Sequence, residues 1–373
     1  MYLRETFDPE RLGRALSFLF VWQYVLWAPL VLASGYIGFS QYAAYLFPAL
    51  GGDSIRAGML AAVVGIVTVI ALYRPITVAA RISLVLGAIA IATVAAVGLA
   101  GLFHPVRSLA SVLRSAVLPP PGIGALGAAL LITLYDYAGY NDACALGDEV
   151  RFASRTIPRA IVISVGVVGV LYLALNCGVF AVATPDQTMH STFIASVIVE
   201  RTLGRPAAIV ITAAILVTAF ASTFGLLLAS ARIPFAAARD GNFIAAFGRL
   251  DRRGGFPNVA LVAIGGLAIP AAFFSLDAVI AVLSAGIALV QGVAQVAAIA
   301  TLRARRTIAP FRMTLYPLPA LIALGGWLFL FVNAGATAIG LSLASLATGA
   351  AVYLVRAALR RDLPFARGVR PTL

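Results

Sequence analysis

The chain has 373 residues, of which 62% are hydrophobic and 11% are charged, and its mean hydropathy is +1.00. These values exclude an ordinary soluble domain, in which about half of the residues are apolar and about a quarter are charged. The formal net charge of +13 would suggest nucleic acid in a soluble protein, but in a membrane protein the same residues set the orientation, so we expect no nucleic-acid partner.

Apolar runs long enough to cross a hydrocarbon core of about 30 Å recur along the whole chain, and each crossing takes roughly 20 helical residues. The runs predict an all-α polytopic membrane protein that forms a single transmembrane domain over residues 1–373. In chain order, the ten predicted spans are Leu16 to Phe39, Ala57 to Leu72, Ile82 to Phe103, Gly124 to Leu146, Ala160 to Val182, Ala207 to Ala231, Val259 to Phe274, Ala278 to Thr301, Leu315 to Asn333 and Ala336 to Val355.

The basic residues are distributed unevenly between the two sides that these spans define. All but five of the 27 fall on the side of the N-terminus, and basic residues concentrate in cytoplasmic loops. We therefore expect a multi-pass protein of the cell (inner) membrane with both termini in the cytoplasm. On the outer side, the segment from Thr184 to Arg205 is expected to carry a short interfacial helix. The five basic residues on that side are Arg56, Arg107, Arg114, Arg201 and Arg205.

The fourth span contains polar residues that a lipid-facing helix does not tolerate. An ionised Asp136 near the bilayer centre would cost at least about 2.5 kcal/mol, so such residues usually face a cavity or a partner. Gly139 weakens the helix at the same place, as in discontinuous helices whose freed carbonyls line a substrate site. One alternative stays open, in which Asp136 is bonded to a neighbouring helix and the tyrosines around it are packing residues.

Two ordered stretches of the sequence resemble amino-acid permeases of the amino acid, polyamine and organocation (APC) superfamily. The first comprises Tyr135 to Asn141, Gly147 to Val150 and Arg155 to Ile161, in the order of the family's sixth and seventh helices. The second comprises Ala221 to Gly225 and Ala238 to Asn242, which resemble the eighth helix and the loop after it. The resemblance implies an APC/LeuT-like helical bundle and a secondary active transporter, a symporter or antiporter, that moves amino acids or related amines by alternating access.

The family has twelve helices, and this chain resembles it from the third helix onward, beginning with the stretch from Trp22 to Pro48. The resemblance therefore implies a permease that lacks the first two helices, through a truncation or a start that lies upstream. The family's first helix supplies backbone amides for the substrate carboxylate, a role that suits a helix N-terminus. On this expectation, the chain holds only part of the binding site.

The resemblance also implies how the fourth span would bind a substrate. Backbone carbonyls near its break would accept hydrogen bonds from the substrate ammonium, Tyr135 would cap the site as an aromatic gate, and Asn141 would orient the unwound segment. The predicted substrate-binding residues are Tyr135, Asp136, Tyr137, Ala138, Gly139 and Asn141.

Four residues are candidates for coupling transport to a proton or a counter-substrate. Asp136 would favour a cationic group or carry a proton, because removal from water penalises a charged carboxylate. Ser222 and Thr223 resemble a hydroxyl pair that holds sodium in sodium-coupled relatives, and Arg81 lies where some members use a lysine instead. The alternatives are a snorkelling interfacial arginine at Arg81 and simple helix packing at Ser222 and Thr223.

The sequence contains no nucleophile, general-base or metal-ligand motif, so we expect no catalytic residues, no metal and no cofactor. An intramembrane protease is disfavoured because Asp136 and Asp148 lie only twelve residues apart, on the fourth predicted span and just after its end, where two carboxylates could not readily share a proton. A non-transporting membrane sensor or a channel of the same fold stays open, since fold does not fix function. The expected partners are the small-molecule substrate, a proton or counter-substrate, and the lipid bilayer.

Overall fold

The structure is a computed structural model, and the part of the chain that it describes contains helices and turns but no β-strand. The described residues are 2–7, 12–50, 52–74, 76–108, 122–137, 150–251, 255–276, 278–280, 292–305 and 315–360, with the single residues 110, 112, 139, 144, 286 and 313. The α-helices are α1 (Tyr2–Thr6), α2 (Leu12–Leu46), α3 (Ser54–Leu72), α4 (Ile76–Phe103), α5 (Ile123–Asp136), α6 (Ala153–Val182), α7 (Pro185–Met189), α8 (Ile194–Leu203), α9 (Arg205–Ser230), α10 (Arg232–Arg239), α11 (Asn258–Ala271), α12 (Ala294–Ala304), α13 (Leu318–Asn333) and α14 (Ala336–Arg360).

Each predicted span contains a helix, and the all-α polytopic architecture is confirmed. Six stretches within the described ranges are long and apolar enough to cross a membrane, namely α2, α3, most of α4, α6, α9 continued into α10, and most of α14. Helices α5, α11 and α13 are apolar but shorter. The predicted span from Ala278 to Thr301 is described only in part, chiefly through α12.

Several helices extend beyond the ends that the apolar runs predicted. Helix α2 covers Leu12–Leu46 instead of Leu16 to Phe39, and α6 begins at Ala153 instead of Ala160. Hydropathy marks the part of a helix that lies in hydrocarbon, whereas the helix continues through the polar interface until other groups satisfy its backbone. The predicted bounds were therefore too narrow at these ends.

Helix α2 forms the centre of the bundle and packs against α3, α9, α11 and α14. Its large side chains Phe18, Leu32 and Tyr36 are fully buried. Leu32 and Tyr36 share one apolar cluster with Phe224 of α9 and Ile264 of α11. Lipid tails are as apolar as these side chains, so close packing rather than escape from water holds the helices together within the membrane.

Helices α4 and α6 cross closely at three glycines. A Cβ atom added to Gly101 of α4 would lie 2.7 Å from the Cα of Gly178 of α6, and a Cβ added to Gly178 would lie 3.2 Å from the Cα of Gly98. Small residues allow the backbones of two membrane helices to approach each other in this way. The crossing fixes α6, whose Tyr172 contacts the end of α5.

The segment from Thr184 to Arg205 contains two short helices, α7 and α8, where one was predicted. A capping box starts α7, because the Thr184 hydroxyl accepts a hydrogen bond from the Gln187 amide and the Gln187 side chain accepts one from the Thr184 amide, each at 3.3 Å. The Tyr45 hydroxyl donates to the Glu200 carboxylate at 2.7 Å. This bond attaches the hairpin formed by α7 and α8 to the end of α2.

Candidate functional site

The predicted break in the fourth span lies at the C-terminal end of α5. This helix has 14 residues and is therefore about 21 Å long, whereas a membrane crossing takes roughly 20 residues. The Tyr137 amide still donates to the Thr133 carbonyl at 3.1 Å, but Tyr137 already lies beyond the last helical residue, Asp136. Gly139 has a φ of +99°, which glycine adopts without strain. The backbone therefore leaves the helix between Asp136 and Gly139, as the sequence predicted.

Tyr135, the predicted aromatic gate, is attached to α2 through Ser34. The two hydroxyl groups are hydrogen-bonded, and the Ser34 hydroxyl also donates to the Val31 carbonyl at 2.7 Å. Because serine has a single hydroxyl hydrogen, Tyr135 is the donor of the bond to Ser34. The tyrosine ring packs on the apolar cluster that contains Trp27 and Val279. Tyr135 is thus held against the central helix by one hydrogen bond and by packing.

Asp136 presents two different groups at the end of α5. Its backbone carbonyl accepts a hydrogen bond of 3.0 Å from the hydroxyl of Tyr172, which lies on α6. Its carboxylate is exposed and has no hydrogen bond or ion pair with any other residue that the structure describes. The C-terminal end of a helix carries a partial negative charge, so the carboxylate and the helix end together favour a cation.

Tyr137 packs against α6 beside this carbonyl. Its ring meets the ring of Tyr172 edge-on, with the centroids 5.4 Å apart and the planes at 87°. A Cβ atom at Gly169, one turn before Tyr172, would lie 3.1 Å from the Tyr137 hydroxyl oxygen. Tyr137 therefore fits into a space that the glycine leaves open. Aromatic rings beside a carboxylate and a helix C-terminus are groups that attract a positive charge.

The structure describes four of the six predicted substrate-binding residues, and these four lie together. They are residues 135–137 and Gly139 at the end of α5. The other two, Ala138 and Asn141, lie outside the described residues. Among the four, only the Tyr135 and Tyr137 side chains are partly buried, and Asp136 and Gly139 are exposed.

The predicted hydroxyl pair on α9 bonds within its own helix. Thr223 is buried and its hydroxyl donates to the Phe220 carbonyl at 2.9 Å. Ser222 is exposed and its hydroxyl donates to the Thr218 carbonyl at 3.1 Å. The Thr223 methyl group lies so close to Gly35 of α2 that a Cβ at this glycine would collide with it. These contacts agree with the alternative reading in which the pair serves helix packing.

Helix α2 lies between the end of α5 and the hydroxyl pair of Ser222 and Thr223. Ser34 contacts Tyr135, and the next residue, Gly35, contacts Thr223. The structure thus brings the two predicted parts of the site to the same level of α2 without joining them. Arg81 is exposed near the start of α4 and forms no hydrogen bond or ion pair with another residue of the described ranges. No observed contact ties it to α5.

The polar groups at the end of α5 suit a small cation. They are hydroxyl groups, backbone carbonyls and one carboxylate, which can accept hydrogen bonds from an ammonium group and balance its charge. Within the described part of the chain, no three histidine, cysteine, aspartate or glutamate side chains are grouped as a metal would require. The arrangement can therefore bind an amine through charge and hydrogen bonds.

Two residues at this site, Ser34 and Tyr172, were not predicted as site residues. Each places a hydroxyl group at membrane depth, which is a signal that the sequence contains for both of them. Helical spacing predicts which residues of one helix share a face, but it does not predict which neighbouring helix that face meets. The sequence could therefore identify α5 as unusual without identifying its partners.

Comparison with known proteins gives one match over most of the chain. A family model described as "Amino acid permease" matches residues 1–355. The b(0,+)-type amino acid transporter 1 of Mus musculus is 28% identical over 147 residues, which are 39% of this chain and 30% of that protein. The vacuolar cationic amino acid transporter 4 of Arabidopsis thaliana is 29% identical over 160 residues, which are 42% of this chain and 26% of that protein.

A third relative is the large neutral amino acids transporter small subunit 2 of Oryctolagus cuniculus. It is 31% identical over 122 residues, which are 33% of this chain and 23% of that protein. The aligned part of this chain thus spans less than a third of the length of each of these three relatives.

Proposed function

Because the chain belongs to the amino acid permease family of the APC superfamily, we propose that it is a secondary active transporter of amino acids or related amines. The chain is a multi-pass membrane protein, and the names of its relatives state amino acid transport. These relatives are transporters rather than enzymes. Their similarity covers only part of their length, so the substrate and the mechanism are our proposals.

The observation that carries the proposal is the end of α5 at Asp136, inside an apolar span. Backbone groups without partners cost several kcal/mol in hydrocarbon, so a helix ends at membrane depth only where protein or a water-filled cavity satisfies them. At this point Asp136 presents an exposed carboxylate that has no partner in the described part of the chain. A substrate ammonium would supply both the missing charge and the missing hydrogen-bond donors.

In the proposed mechanism, the substrate ammonium binds at the Asp136 carboxylate and the carbonyls near it, including that of Ala138. Tyr135 covers the ligand, and Asn141 orients the segment beyond the helix. Alternating access requires two packings of the bundle around this site and no covalent chemistry. A change between these packings needs Tyr135 to exchange its hydrogen bond to Ser34 for other contacts.

For coupling, we propose a proton or an exchanged counter-substrate, with Asp136 as the group that accepts the proton or the cation. Arg81 would act as a fixed positive charge. The hydroxyl groups of Ser222 and Thr223 bond to carbonyls of their own helix, which favours a packing role for both over a sodium site.

We propose that residues 1–373 form one transmembrane domain in the cell (inner) membrane, with both termini in the cytoplasm. The unequal distribution of the 27 basic residues supports this orientation. Cysteine labelling from outside intact cells would test it, with cysteines introduced in α7 expected to react. Labelling of a cysteine placed near Leu12 from the outside would contradict it.

Uptake into liposomes that contain the purified protein tests the transport function. We expect saturable and stereoselective uptake of amino acids or amines that a pH gradient stimulates. The substitution Asp136→Asn should lower uptake at least about tenfold, because it removes a charged hydrogen-bonding partner worth roughly 1.5–3 kcal/mol. The matched control is Asp186→Asn in the outer helix α7, where the carboxylate is exposed and far along the chain from α5.

The outcomes of this experiment separate the alternatives. Unchanged pH-dependent uptake by the Asp136→Asn protein would remove Asp136 from the mechanism. Conductance that does not saturate would identify a channel, and binding without flux would identify a sensor. Either result would replace the transporter proposal.

A further inference from the structure

The end of α5 has a partner on α6 that fixes the direction of one backbone carbonyl. The last four carbonyl groups of a helix have no N–H donor within the helix, so their donors must come from elsewhere. The Tyr172 hydroxyl supplies such a donor to the Asp136 carbonyl at 3.0 Å. This bond joins two residues that are 36 positions apart in the chain, so the tertiary structure and not the local turn sets its geometry.

The Tyr172 side chain is itself held in place. Its ring meets the ring of Tyr137 edge-on, with the centroids 5.4 Å apart. The Tyr137 hydroxyl lies so close to Gly169 of α6 that a Cβ atom at Gly169 would be 3.1 Å from its oxygen. The backbone of α6 is in turn fixed against α4 by the crossing at Gly178. A hydroxyl donor that is fixed on a fixed helix can orient a carbonyl group. A mobile donor would provide the hydrogen bond without setting the direction of the carbonyl.

We infer that Tyr172 is a positioning residue that orients the Asp136 carbonyl for an ammonium group. A carbonyl oxygen has two lone pairs, so the bond from Tyr172 leaves the second one available to a ligand. Tyr172 does not touch the ligand in this arrangement, and it acts through the carbonyl alone. The inference rests on the proposed function for its ligand but not for the contact between α5 and α6.

The substitution Tyr172→Phe tests the inference, because it removes the hydroxyl group and keeps the ring that packs on Tyr137. In liposome uptake we expect the half-saturating substrate concentration to rise about fivefold, the effect of one lost hydrogen bond, while the maximal rate changes less than about twofold. The matched control is Ser164→Ala on the same helix, whose exposed hydroxyl donates only to the Ile161 carbonyl of α6 at 3.0 Å.

A second measurement does not depend on transport. Hydrogen–deuterium exchange of the purified protein without substrate reports on the Tyr137 amide, which bonds to the Thr133 carbonyl in the last turn of α5. We expect Tyr172→Phe to accelerate this exchange about fivefold and Ser164→Ala to leave it unchanged. A wild-type protein without uptake would refute the proposed function, yet this measurement would still test the contact.

Two results would overturn the inference. A lower half-saturating concentration in the Tyr172→Phe protein would mean that Tyr172 competes with the ligand for the carbonyl. Unchanged exchange of the Tyr137 amide together with an unchanged half-saturating concentration would mean that the Tyr172 hydroxyl does not position the end of α5.

Discussion

The glycine crossing between α4 and α6 yields a stability prediction whose size follows from the structure. In Gly101→Ala, the new Cβ would lie 2.7 Å from the Cα of Gly178, whereas carbon atoms in contact are about 3.5–4.0 Å apart. The opposing atom is backbone and cannot rotate away, so the two helices must separate locally by about 1 Å. Overpacking of this kind costs about 1–3 kcal/mol, and the separation also weakens contacts between neighbouring side chains.

Other glycines on the same two helices provide matched controls. A Cβ at Gly87 of α4 or at Gly166 of α6 would have no neighbour within 4 Å. The substitutions Gly87→Ala and Gly166→Ala therefore change the same residue type on the same helices without creating a collision. Alanine favours a helix over glycine by up to about 1 kcal/mol in water, so we expect these variants to be as stable as the wild type or slightly more stable.

Thermal unfolding in detergent, followed by circular dichroism and by size-exclusion chromatography of the heated sample, measures the difference. We expect Gly101→Ala to lower the midpoint by about 1–4 °C relative to Gly87→Ala, because an unfolding entropy of about 2.1 cal/mol/K per residue makes 1 kcal/mol worth about 1.3 °C in a chain of 373 residues. Equal midpoints for the two variants would refute the close crossing. This result would also remove the physical reason for treating α6 as a rigid support of Tyr172.

Three further predictions concern single contacts. Ser34→Ala and Tyr135→Phe each remove one partner of the same hydrogen bond, so each should raise the half-saturating substrate concentration about fivefold and the double variant should show no additional effect. Tyr45→Phe should accelerate amide exchange in α8, because it removes the hydrogen bond to Glu200 that attaches the hairpin of α7 and α8 to α2. Asp53→Ala should lower the stability of the protein by about 1 kcal/mol, measured by thermal unfolding, because Asp53 caps α3 by accepting from two backbone amides.

Two control variants accompany these predictions. Asp53→Asn keeps an oxygen that can accept from the same amides and should recover most of the lost stability. Ser222→Ala removes an exposed hydroxyl that bonds within its own helix, so it should leave uptake unchanged. If the increases in half-saturating concentration caused by Ser34→Ala and Tyr135→Phe multiply in the double variant, the two residues do not share one hydrogen bond. Unchanged exchange in α8 would show that the bond to Glu200 does not hold the hairpin.

The sequence predicted the spans and the position of the break because both depend on local properties. Apolar runs identify the helices through the cost of polar groups in lipid, and the proximity of Asp136 and Gly139 marks the place where a helix can end. The φ of +99° at Gly139 is one that glycine adopts without strain, so the residue type permits the break that was predicted there. Local rules were sufficient for these features.

The contacts that complete the site could not be predicted in the same way. The hydrogen bond between Ser34 and Tyr135 joins residues 101 positions apart, and that between Tyr172 and Asp136 joins residues 36 positions apart. Each depends on how far one helix is rotated and shifted against another, which many weak packing contacts decide together. A single sequence contains no separate signal for these distances.

The two hydrogen bonds at the end of α5 differ in what they attach it to, and this difference suggests which one breaks during transport. More than half of the most apolar stretch of α2 is buried in the bundle, whereas none of the corresponding stretch of α6 is buried. Because the crossing at Gly178 fixes α6 against α4, whose most apolar stretch is only 17% buried, these two helices can be displaced together with fewer contacts broken than α2. We therefore expect α5 to move together with α6, keeping the bond from Tyr172 to Asp136 and breaking the bond from Tyr135 to Ser34. One hydrogen bond is worth about 1 kcal/mol, so the rearrangement costs little at this contact.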